Sequence, residues 1–377
     1  MSKTNYRRVV AKFGTNLLTA GSERLDLQTM AALVGQAAAL RAAGVEIVLV
    51  TSGAIAAGRH ELGRPPEGGA VATRQVLASI GQGALMRAYS DLFAWHDLTV
   101  AQALLTRRDL ADRASYLNAR TTLLSLLELG VVPIANENDV VAVDEIADAT
   151  IGDNDSLSAL VAHLIEADLL VMLTDSGGLF RSDPRASPDA ELIERVENIE
   201  EIAELVRERE VSQGGRGGMA SKVEAARLAT AGGTDVVIAG GHDEDALLRA
   251  ARGEKAGTLF PSRLSRLEGR RRFMLAGLSA RGKLVVDPGA AAALLGQGRS
   301  LLPAGVMRVE GPFERGDIVT IANGDGRKIG YGMVNYNAED AATIAGRKSA
   351  DVEALLGHDF GAELVHRNNL VMLDKPA

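Results

Sequence analysis

The stretch Glu46-Ile47-Val48-Leu49-Val50-Thr51-Ser52-Gly53-Ala54 decides the fold class of this chain. Its opening run is apolar and rich in β-branched residues, without polar alternation, which is typical of a strand covered on both faces. A small Thr-Ser-Gly turn follows, and the segment 54–62 after it has the composition of a helix. Strand, short turn and helix in this order are the unit of an α/β fold with a parallel sheet.

The same unit repeats along the first 260 residues. Short apolar runs that predict strands recur at 9–11, 131–135, 169–173 and 235–239. Longer Ala- and Leu-rich segments with helical spacing lie between and beside them, at 27–43, 73–95, 114–129, 156–166, 219–231 and 243–252. This alternation predicts an α/β domain over 1–260, with a mostly parallel sheet sandwiched by helices.

The pattern changes beyond this domain. The segment 261–271 is polar and basic and is expected to be a linker. Short strand-like runs separated by turns follow it, at 272–275, 283–286, 307–310, 317–322, 328–333 and 363–366, with helices expected at 289–295 and 338–345. The sequence therefore predicts a small β-rich domain over 272–377.

Composition excludes several classes of protein. The chain has 377 residues, a formal net charge of −8 and no cysteine. A disulfide scaffold, a thiolate metal site and a cysteine nucleophile are therefore excluded. No apolar run suits a signal sequence or a membrane span, so we expect a cytoplasmic protein that does not enter a membrane. A chain that is acidic on average is also a poor non-specific binder of nucleic acid.

Polar residues follow most of the predicted strands, where ligands of open α/β sheets bind. Lys12 directly follows the run 9–11, and its ammonium group could act there as a point charge for phosphate. The alternative is a surface lysine whose stem packs along apolar neighbours. Ser52 stands where a helix begins, and backbone N–H groups at that point would attract phosphate or carboxylate. Simple N-capping is the alternative for this residue.

Two loops rich in Asp and Asn indicate a binding site. Asn136-Glu137-Asn138-Asp139 follows a strand, and Gly152-Asp153-Asn154-Asp155 follows a polar loop. At one end of the sheet, their carboxylates and amides would suit an amino group or a metal-bound phosphate. Asx turns are the alternative, although this density of Asp and Asn exceeds what turns need. Asp155 or Ser156 is also the expected N-cap of the helix 156–166.

A glycine-rich loop, Gln213-Gly214-Gly215-Arg216-Gly217-Gly218-Met219-Ala220-Ser221-Lys222, opens the helix expected at 219–231. Its glycines would let the backbone approach phosphates closely, and Lys222 lies within the first helical turns. The loop is not a Walker A motif, which reads G-x-x-x-x-G-K-[ST]. The six histidines form no H-x-x-x-H pair, so neither a histidine metal site nor a Ser-His-Asp triad is expected. Any metal should be a hard cation held by phosphate and carboxylates.

Taken in order, these motifs carry a family resemblance. They are Val10-Ala11-Lys12-Phe13-Gly14-Thr15, Val50-Thr51-Ser52-Gly53-Ala54-Ile55-Ala56-Ala57-Gly58-Arg59, Leu117-Asn118-Ala119-Arg120, Pro133-Ile134-Ala135-Asn136-Glu137-Asn138-Asp139, Gly152-Asp153-Asn154-Asp155, Leu173-Thr174-Asp175 and Gly217-Gly218-Met219 with Lys222. The set resembles the glutamate 5-kinases of the amino acid kinase family. Leu301-Leu302-Pro303-Ala304-Gly305-Val306 and Gly311-x-Phe313-x-Arg315-Gly316-Asp317 resemble a PUA domain. Together the two resemblances span almost the whole chain.

The resemblance implies an amino acid kinase fold and ATP-dependent phosphorylation of the γ-carboxylate of L-glutamate. The product would be γ-glutamyl phosphate, the start of proline biosynthesis. ATP and Mg²⁺ are the implied cofactors, proline is the implied inhibitor, and a homodimer or homotetramer is the implied assembly. The chemistry agrees, because a carboxylate nucleophile is already ionised near neutral pH and needs no general base.

The resemblance also implies a role for individual residues. Lys12, Lys222 and Asp155 would be catalytic, the lysines balancing charge on the phosphoryl group and Asp155 orienting them. Ser52, Asp139 and Asn154 would bind glutamate. The nucleotide would be held by Lys12, Thr174, Asp175, Arg216, Gly217, Gly218, Met219, Ala220, Ser221 and Lys222. No residue is assigned to a protein-held metal.

Two departures from the family pattern concern the nucleotide loop and the loop over 140–151. Arg216 stands where the family usually has Thr, and 140–151 carries additional acidic residues, Asp144, Glu145 and Asp148. Two alternatives stay open. One is another amino acid kinase, acting on acetylglutamate or aspartate. The other is an RNA-binding regulatory protein that works through its C-terminal domain, which is the less favoured interpretation because that domain has few aromatics and is only weakly basic.

Overall fold

The computed structural model describes residues 4–63, 70–142, 153–182, 187, 189–204, 206, 218–264 and 280–373. The chain divides into two compact units. The first is drawn from Met1–Arg108 and Arg120–Arg266, and the second from Asp109–Ala119 and Leu267–Ala377. No helix in the described part of the chain is both long and apolar enough to cross a lipid bilayer.

A seven-stranded sheet forms the centre of the first unit. Its strand order is β3-β4-β2-β1-β5-β6-β7, and every neighbouring pair is parallel except β6 and β7. The strands are β1 Arg8–Phe13, β2 Glu46–Val50, β3 Val100–Leu105, β4 Val132–Glu137, β5 Leu169–Thr174, β6 Asp235–Gly240 and β7 Thr258–Phe260. The four central strands β4, β2, β1 and β5 are almost wholly buried, as their apolar runs predict.

Helices cover both faces of this sheet. The helices over this part of the sequence are α1 Thr15–Thr19, α2 Leu27–Ala42, α3 Ala54–Leu62, α4 Ala70–Ala94, α5 Arg107–Ala111, α6 Arg113–Glu128, α7 Asp153–Leu164, α8 Gly218–Ala231 and α9 Ala246–Ala251. Most of α5 and the start of α6 belong to the second unit. On one side α2 packs against β2, and α4 and α9 pack against α2. On the other side α7 packs against β1, β4 and β5, and α8 packs against α7 and β6. The predicted α/β sandwich is therefore confirmed.

Two strands of the first sheet escaped sequence prediction. β3 is an edge strand that is only partly buried, so its residues Val-Ala-Gln-Ala-Leu-Leu lack the continuous β-branched run of a central strand. β7 has only three residues. The predicted N-cap of α7 was wrong, because the helix begins at Asp153 and Asp155 lies inside its first turn. The Asp155 side chain binds lysines from other elements instead of capping the helix.

The second unit contains a five-stranded sheet in the order β12-β11-β10-β8-β9. Its strands are β8 Lys283–Val286, β9 Val306–Glu310, β10 Ile318–Ala322, β11 Lys328–Met333 and β12 Leu370–Met372, and its helices are α10 Pro288–Gln297, α11 Ala338–Ile344 and α12 Val352–Leu356. Only the β8–β10 pair is parallel. The strand predicted at 363–366 is a single bridge between Leu301 and Val365, and the one predicted at 272–275 lies outside the described residues. The expected β-rich character of this part is confirmed.

Candidate active site

Side-chain alternation along β1 decides where Lys12 points. Ala11 and Phe13 belong to the apolar core that also contains Leu33 of α2 and Tyr89 of α4. Because successive side chains of a strand point to opposite faces, Lys12 points to the face covered by α7 and α8. The side chain is buried, which excludes the surface lysine that the sequence left open as an alternative.

Asp155 of α7 joins the two predicted catalytic lysines. Lys12 Nζ lies 2.6 Å from Asp155 Oδ1, and Lys222 Nζ lies 3.2 Å from Asp155 Oδ2. Ser221 Oγ also donates a hydrogen bond to Asp155 Oδ2, at 2.6 Å. Three elements, β1, α7 and α8, therefore bring two ammonium groups to one buried carboxylate.

The same contacts keep Asp155 ionised. Burial by itself would raise the pKa of Asp155, but the charges of Lys12 and Lys222, with hydrogen bonds from Lys12 and Ser221, outweigh it. The net effect is a pKa below the ordinary value of an aspartate. At neutral pH the cluster therefore holds one negative and two positive charges, and its surplus positive charge suits an anionic ligand.

Glycines leave space beside both ammonium groups. A Cβ atom built at Gly14 would lie 3.7 Å from Lys12 Nζ, and one built at Gly218 would lie 3.5 Å from Lys222 Nζ. The Gly218 carbonyl oxygen accepts a hydrogen bond from Lys222 Nζ at 2.9 Å, which holds the lysine over the start of α8. Because a glycine has no side chain, a phosphate could approach the backbone closely at both positions and lie beside the lysine ammonium groups.

Ser52 and Asn154 meet at the carboxyl end of β2. Asn154 Nδ2 donates a hydrogen bond to Ser52 Oγ at 3.0 Å. Asn154 precedes Asp155 in the first turn of α7, so this contact adjoins the lysine cluster. Gly53 between Ser52 and α3 has φ +99°, a backbone conformation that side chains rarely adopt, and it permits the sharp turn into the helix.

Asp139 follows β4 and lies near the N-terminal part of α4. Burial raises the pKa of Asp139 above its ordinary value, and the positive charge of Arg74 only partly opposes the rise. Within the described residues no hydrogen bond or ion pair joins Asp139 to Ser52 or Asn154. Ser52 and Asn154 are therefore in direct contact. Asp139 lies after the neighbouring strand β4 and forms no hydrogen bond or ion pair with either of them among the described residues.

The remaining nucleotide-binding candidates lie on β5 and α8. Thr174 ends β5 and alternates with Leu173 of the apolar core, so it points to the same face as Lys12. Its Oγ1 accepts a hydrogen bond from Ser176 N at 2.9 Å, and the exposed Asp175 lies between them. Met219 and Ala220 lie in the first turn of α8 and are partly buried. Arg216, Gly217 and most of the loop 140–151 lie outside the described residues.

Comparison with known proteins places this chain in a family. Residues 7–240 match the amino acid kinase family, and residues 282–356 match the PUA domain. A glutamate 5-kinase from Dehalococcoides mccartyi (strain CBDB1) is 51% identical over 373 residues, which cover 99% of this chain and 100% of the relative. A glutamate 5-kinase from Shewanella sediminis (strain HAW-EB3) is 50% identical over the same length and the same shares.

The chain belongs to the glutamate 5-kinase family. It is a kinase, with an amino acid kinase domain followed by a PUA domain. The resemblance seen in the sequence motifs is therefore confirmed, and so is the fold class that it implied.

The side chains near the lysine cluster indicate how a metal ion would be held in this kinase. Among the described residues there is no group of three or more His, Asp or Glu side chains placed to hold a metal ion. Both oxygens of Asp155 lie against lysine ammonium groups. These residues suit a Mg²⁺ ion that arrives with the nucleotide phosphates, because Mg²⁺ often keeps several waters and binds through phosphates in kinase sites.

Gln82 is a polar side chain near a strand exit that the sequence did not single out, whereas Asn136 and Glu137 belong to the predicted binding loop 136–139. Within the part of the chain that the structure describes, the buried side-chain atoms without a hydrogen-bond partner include atoms of Gln82, Asn136, Glu137 and Asn154. Asn136 and Glu137 end β4, beside the Thr51-Ser52 turn, since Thr51 N donates a hydrogen bond to Ala135 O at 3.0 Å. Gln82 lies inside α4, where nothing in the helical pattern distinguishes it from a surface residue. Only the tertiary fold brings it to the end of β4.

Proposed function

We propose that this kinase transfers the γ-phosphoryl group of ATP to the γ-carboxylate of L-glutamate, giving γ-glutamyl phosphate and ADP. One observation carries the proposal. Lys12 and Lys222 are far apart in the sequence, and their ammonium groups meet at the buried carboxylate of Asp155. Such a pair of fixed ammonium groups is suited to stabilise charge on a phosphoryl group in transfer.

The reaction needs positioning more than proton transfer. The γ-carboxylate of glutamate is ionised near neutral pH, so it can attack phosphorus without a general base. Catalysis then depends on holding nucleophile and leaving group in line and on stabilising the equatorial oxygens. In this proposal Lys12 and Lys222 supply the positive charge, and Asp155 keeps both ammonium groups in place.

The two substrates would lie on either side of this cluster. We propose that Thr174, Asp175 and the loop from Arg216 to Lys222 hold the nucleotide. We propose that Ser52, Asn154 and Asp139 hold glutamate. The direct bond between Ser52 and Asn154, next to Asp155, supports a carboxylate-binding position close to the lysines. Mg²⁺ carried by the nucleotide would neutralise part of the phosphate charge.

The wider role follows from the chemistry of the product. γ-Glutamyl phosphate is an activated acyl group on a five-carbon amino acid. Its reduction to an aldehyde with release of phosphate, ring closure onto the amino group with loss of water, and a second reduction of the resulting imine lead to proline. We therefore propose that the reaction starts proline biosynthesis in the cytoplasm, with proline as a feedback inhibitor. We also propose a homodimer or homotetramer, as the family resemblance implies.

A trapping assay tests the proposal. The protein would be incubated with ATP, Mg²⁺ and hydroxylamine, with L-glutamate, N-acetylglutamate or aspartate as acceptor. Hydroxylamine converts acyl phosphates into hydroxamates, and mass spectrometry identifies the acylated carboxylate. We expect ADP release and γ-glutamyl hydroxamate with L-glutamate only. Turnover of N-acetylglutamate or aspartate without turnover of L-glutamate would overturn the proposal.

A further inference from the structure

A buried pair of hydroxyl groups lies behind the Ser52 turn, and the proposed mechanism does not use it. The hydroxyl oxygens of Thr51 and of Tyr89 in α4 lie 2.7 Å apart. Both residues are fully buried, and Tyr89 belongs to the apolar core that also contains Leu49 of β2. Burial raises the pKa of Tyr89 above the ordinary value of a tyrosine, so its hydroxyl group stays protonated. A phenylalanine ring would fill the same space, so packing alone does not require this hydroxyl group.

The number of hydrogen atoms decides which group donates in each bond of this pair. A threonine or tyrosine hydroxyl group has one hydrogen to donate. Thr51 Oγ1 donates its hydrogen to the Ser52 carbonyl oxygen at 3.1 Å. The bond between the two hydroxyl groups is therefore donated by Tyr89. A chain of two hydrogen bonds runs from the Tyr89 O–H through Thr51 Oγ1 to the Ser52 carbonyl oxygen.

This chain ends on the peptide group between Ser52 and Gly53. Gly53 has φ +99° and no side chain, so the turn has little rigidity of its own. The Ser52 side chain points the opposite way from that of Thr51, and its Oγ accepts the hydrogen bond from Asn154 of α7 at 3.0 Å. Ser52 is therefore held at two atoms, its carbonyl oxygen from the α4 side of the sheet and its hydroxyl group from the α7 side.

We propose that Tyr89 is a positioning residue for the acceptor substrate, which acts through Thr51 to fix the Ser52 turn. This inference rests on the proposed function, in which Ser52 binds glutamate. Tyr89 lies in the core and does not touch the substrate. Without its hydroxyl group, Thr51 Oγ1 loses its anchor and the peptide group after Ser52 can rotate. Such a rotation would move the Ser52 hydroxyl group away from the position next to Asp155 where the acceptor carboxylate must lie.

Substitution of Tyr89 by phenylalanine tests the inference, because it removes only the hydroxyl group. We expect the KM for glutamate to rise about fivefold, the effect of one lost hydrogen bond, with kcat and the KM for ATP nearly unchanged. Tyr6→Phe is the matched control. Tyr6 donates a hydrogen bond to Asp235 Oδ2 at 2.9 Å, at the start of β6 and the opposite end of the sheet. That control should lower the thermal midpoint and leave both KM values unchanged.

A double variant separates positioning from a loss of stability. Thr51→Val removes the middle hydroxyl group and leaves the Tyr89 O–H buried without this partner, so the thermal midpoint should fall. Tyr89→Phe combined with Thr51→Val replaces both partners by apolar groups of similar shape, so the midpoint should rise again above that of Thr51→Val. The KM for glutamate should stay raised in the double variant, because neither side chain can then hold the Ser52 carbonyl oxygen.

The results that overturn the inference differ from failure of the proposed function. A wild-type protein that does not phosphorylate glutamate would overturn both. With an active wild type, an unchanged KM for glutamate in Tyr89→Phe would overturn the inference alone, and so would an equal rise in the KM for ATP. It would also be wrong if the KM for glutamate recovers in the double variant together with the thermal midpoint, since the hydroxyl pair would then serve stability only.

Discussion

At the scale of single residues, Asp155 controls the electrostatics of the site. Its two oxygens contact ammonium groups from β1 and α8, and its lowered pKa keeps it charged. Because the folded-state pKa lies below the unfolded value, this group adds stability above the unfolded pKa. That stability is lost as the pH falls through the folded value. Its partners should therefore affect catalysis and acid stability together.

Substitution of Ser221 by alanine removes one hydrogen bond to Asp155 and leaves both lysines in place. We expect kcat to fall roughly tenfold, because a hydrogen bond to a charged group stabilises it by about 1.5–3 kcal/mol. Steady-state ADP release measures the effect. Ser158→Ala is the matched control, since buried Ser158 donates to the backbone oxygen of Asp155 and not to its carboxylate. Equal losses of kcat in the two variants would contradict this role of Ser221.

Asp139 should show the opposite dependence on pH. Its raised pKa means that ionisation of Asp139 costs stability as the pH rises from the unfolded value through the folded one. Asp139→Asn should therefore raise the thermal midpoint at pH 7, with the gain shrinking as the pH falls through the raised folded-state pKa toward the ordinary value of aspartate. The KM for glutamate should rise at the same time. Thermal melts between pH 4 and pH 8 test this, and a lower midpoint for the variant at pH 7 would contradict it.

The residues that the sequence could predict are those whose position follows from a strand exit or a helix start. Lys12, Ser52, Asn154 and Lys222 are of this kind. The hydrogen bond between Gln82 and Asn136 could not be predicted in this way, because it depends on how α4 packs and not on any local pattern. The prediction that Asp155 caps the helix was also wrong because of tertiary contacts, since its side chain forms ion pairs with Lys12 and Lys222.

At the scale of elements, the approach of α3 to α4 decides where the Ser52 turn lies. A Cβ atom at Gly58 of α3 would lie 1.8 Å from Leu77 O, and one at Gly81 of α4 would lie 1.9 Å from Ala54 O. The backbones of the two helices therefore touch, and only glycine fits at the crossing. Because α3 begins directly after Gly53, this crossing also sets the position of Ser52.

Substitution of Gly58 by alanine tests the link between packing and the site. We expect a loss of about 1–3 kcal/mol in the free energy of unfolding, from overpacking against backbone atoms. The KM for glutamate should rise because α3 and its first turn must shift. Gly83→Ala is the control within α4, since nothing lies within 4 Å of a Cβ built there, and it should stabilise by up to about 1 kcal/mol. Similar stabilities for the two variants, from chemical denaturation, would contradict the account.

At the scale of the whole molecule, the formal net charge of −8 is distributed unevenly between the two parts of the chain. Residues 270–377 contain 14 Lys and Arg against 12 Asp and Glu, so the remainder of the chain carries all of the negative balance. We therefore expect the kinase part to bind anions through local lysines and glycines, and not through its overall field. Sequence pattern predicted both fold types, because each type of fold has its own periodicity. It missed the short and edge strands, whose pairing is decided by neighbours.

We expect no salt-sensitive binding of tRNA by the full-length protein. In the second unit Lys283 and Arg308 both bind Glu310, at 2.5 and 2.6 Å, which reduces the charge available for phosphate. The exposed ring of Phe360 is covered by the Arg315 guanidinium at 4.1 Å. A gel-shift titration at low salt measures this. Binding that weakens steeply with salt would contradict the expectation and favour an RNA-binding role.

The turnover numbers of Lys12→Met and Lys222→Met, with L-glutamate and ATP·Mg²⁺ at saturation, test whether both lysines stabilise the transferring phosphoryl group. We expect each substitution to lower kcat about 100- to 1,000-fold, because each removes one of two fixed charges at the transferring group. Circular dichroism and a cooperative melt should show that both variants are folded. A kcat within tenfold of the wild type for either folded variant would contradict the account.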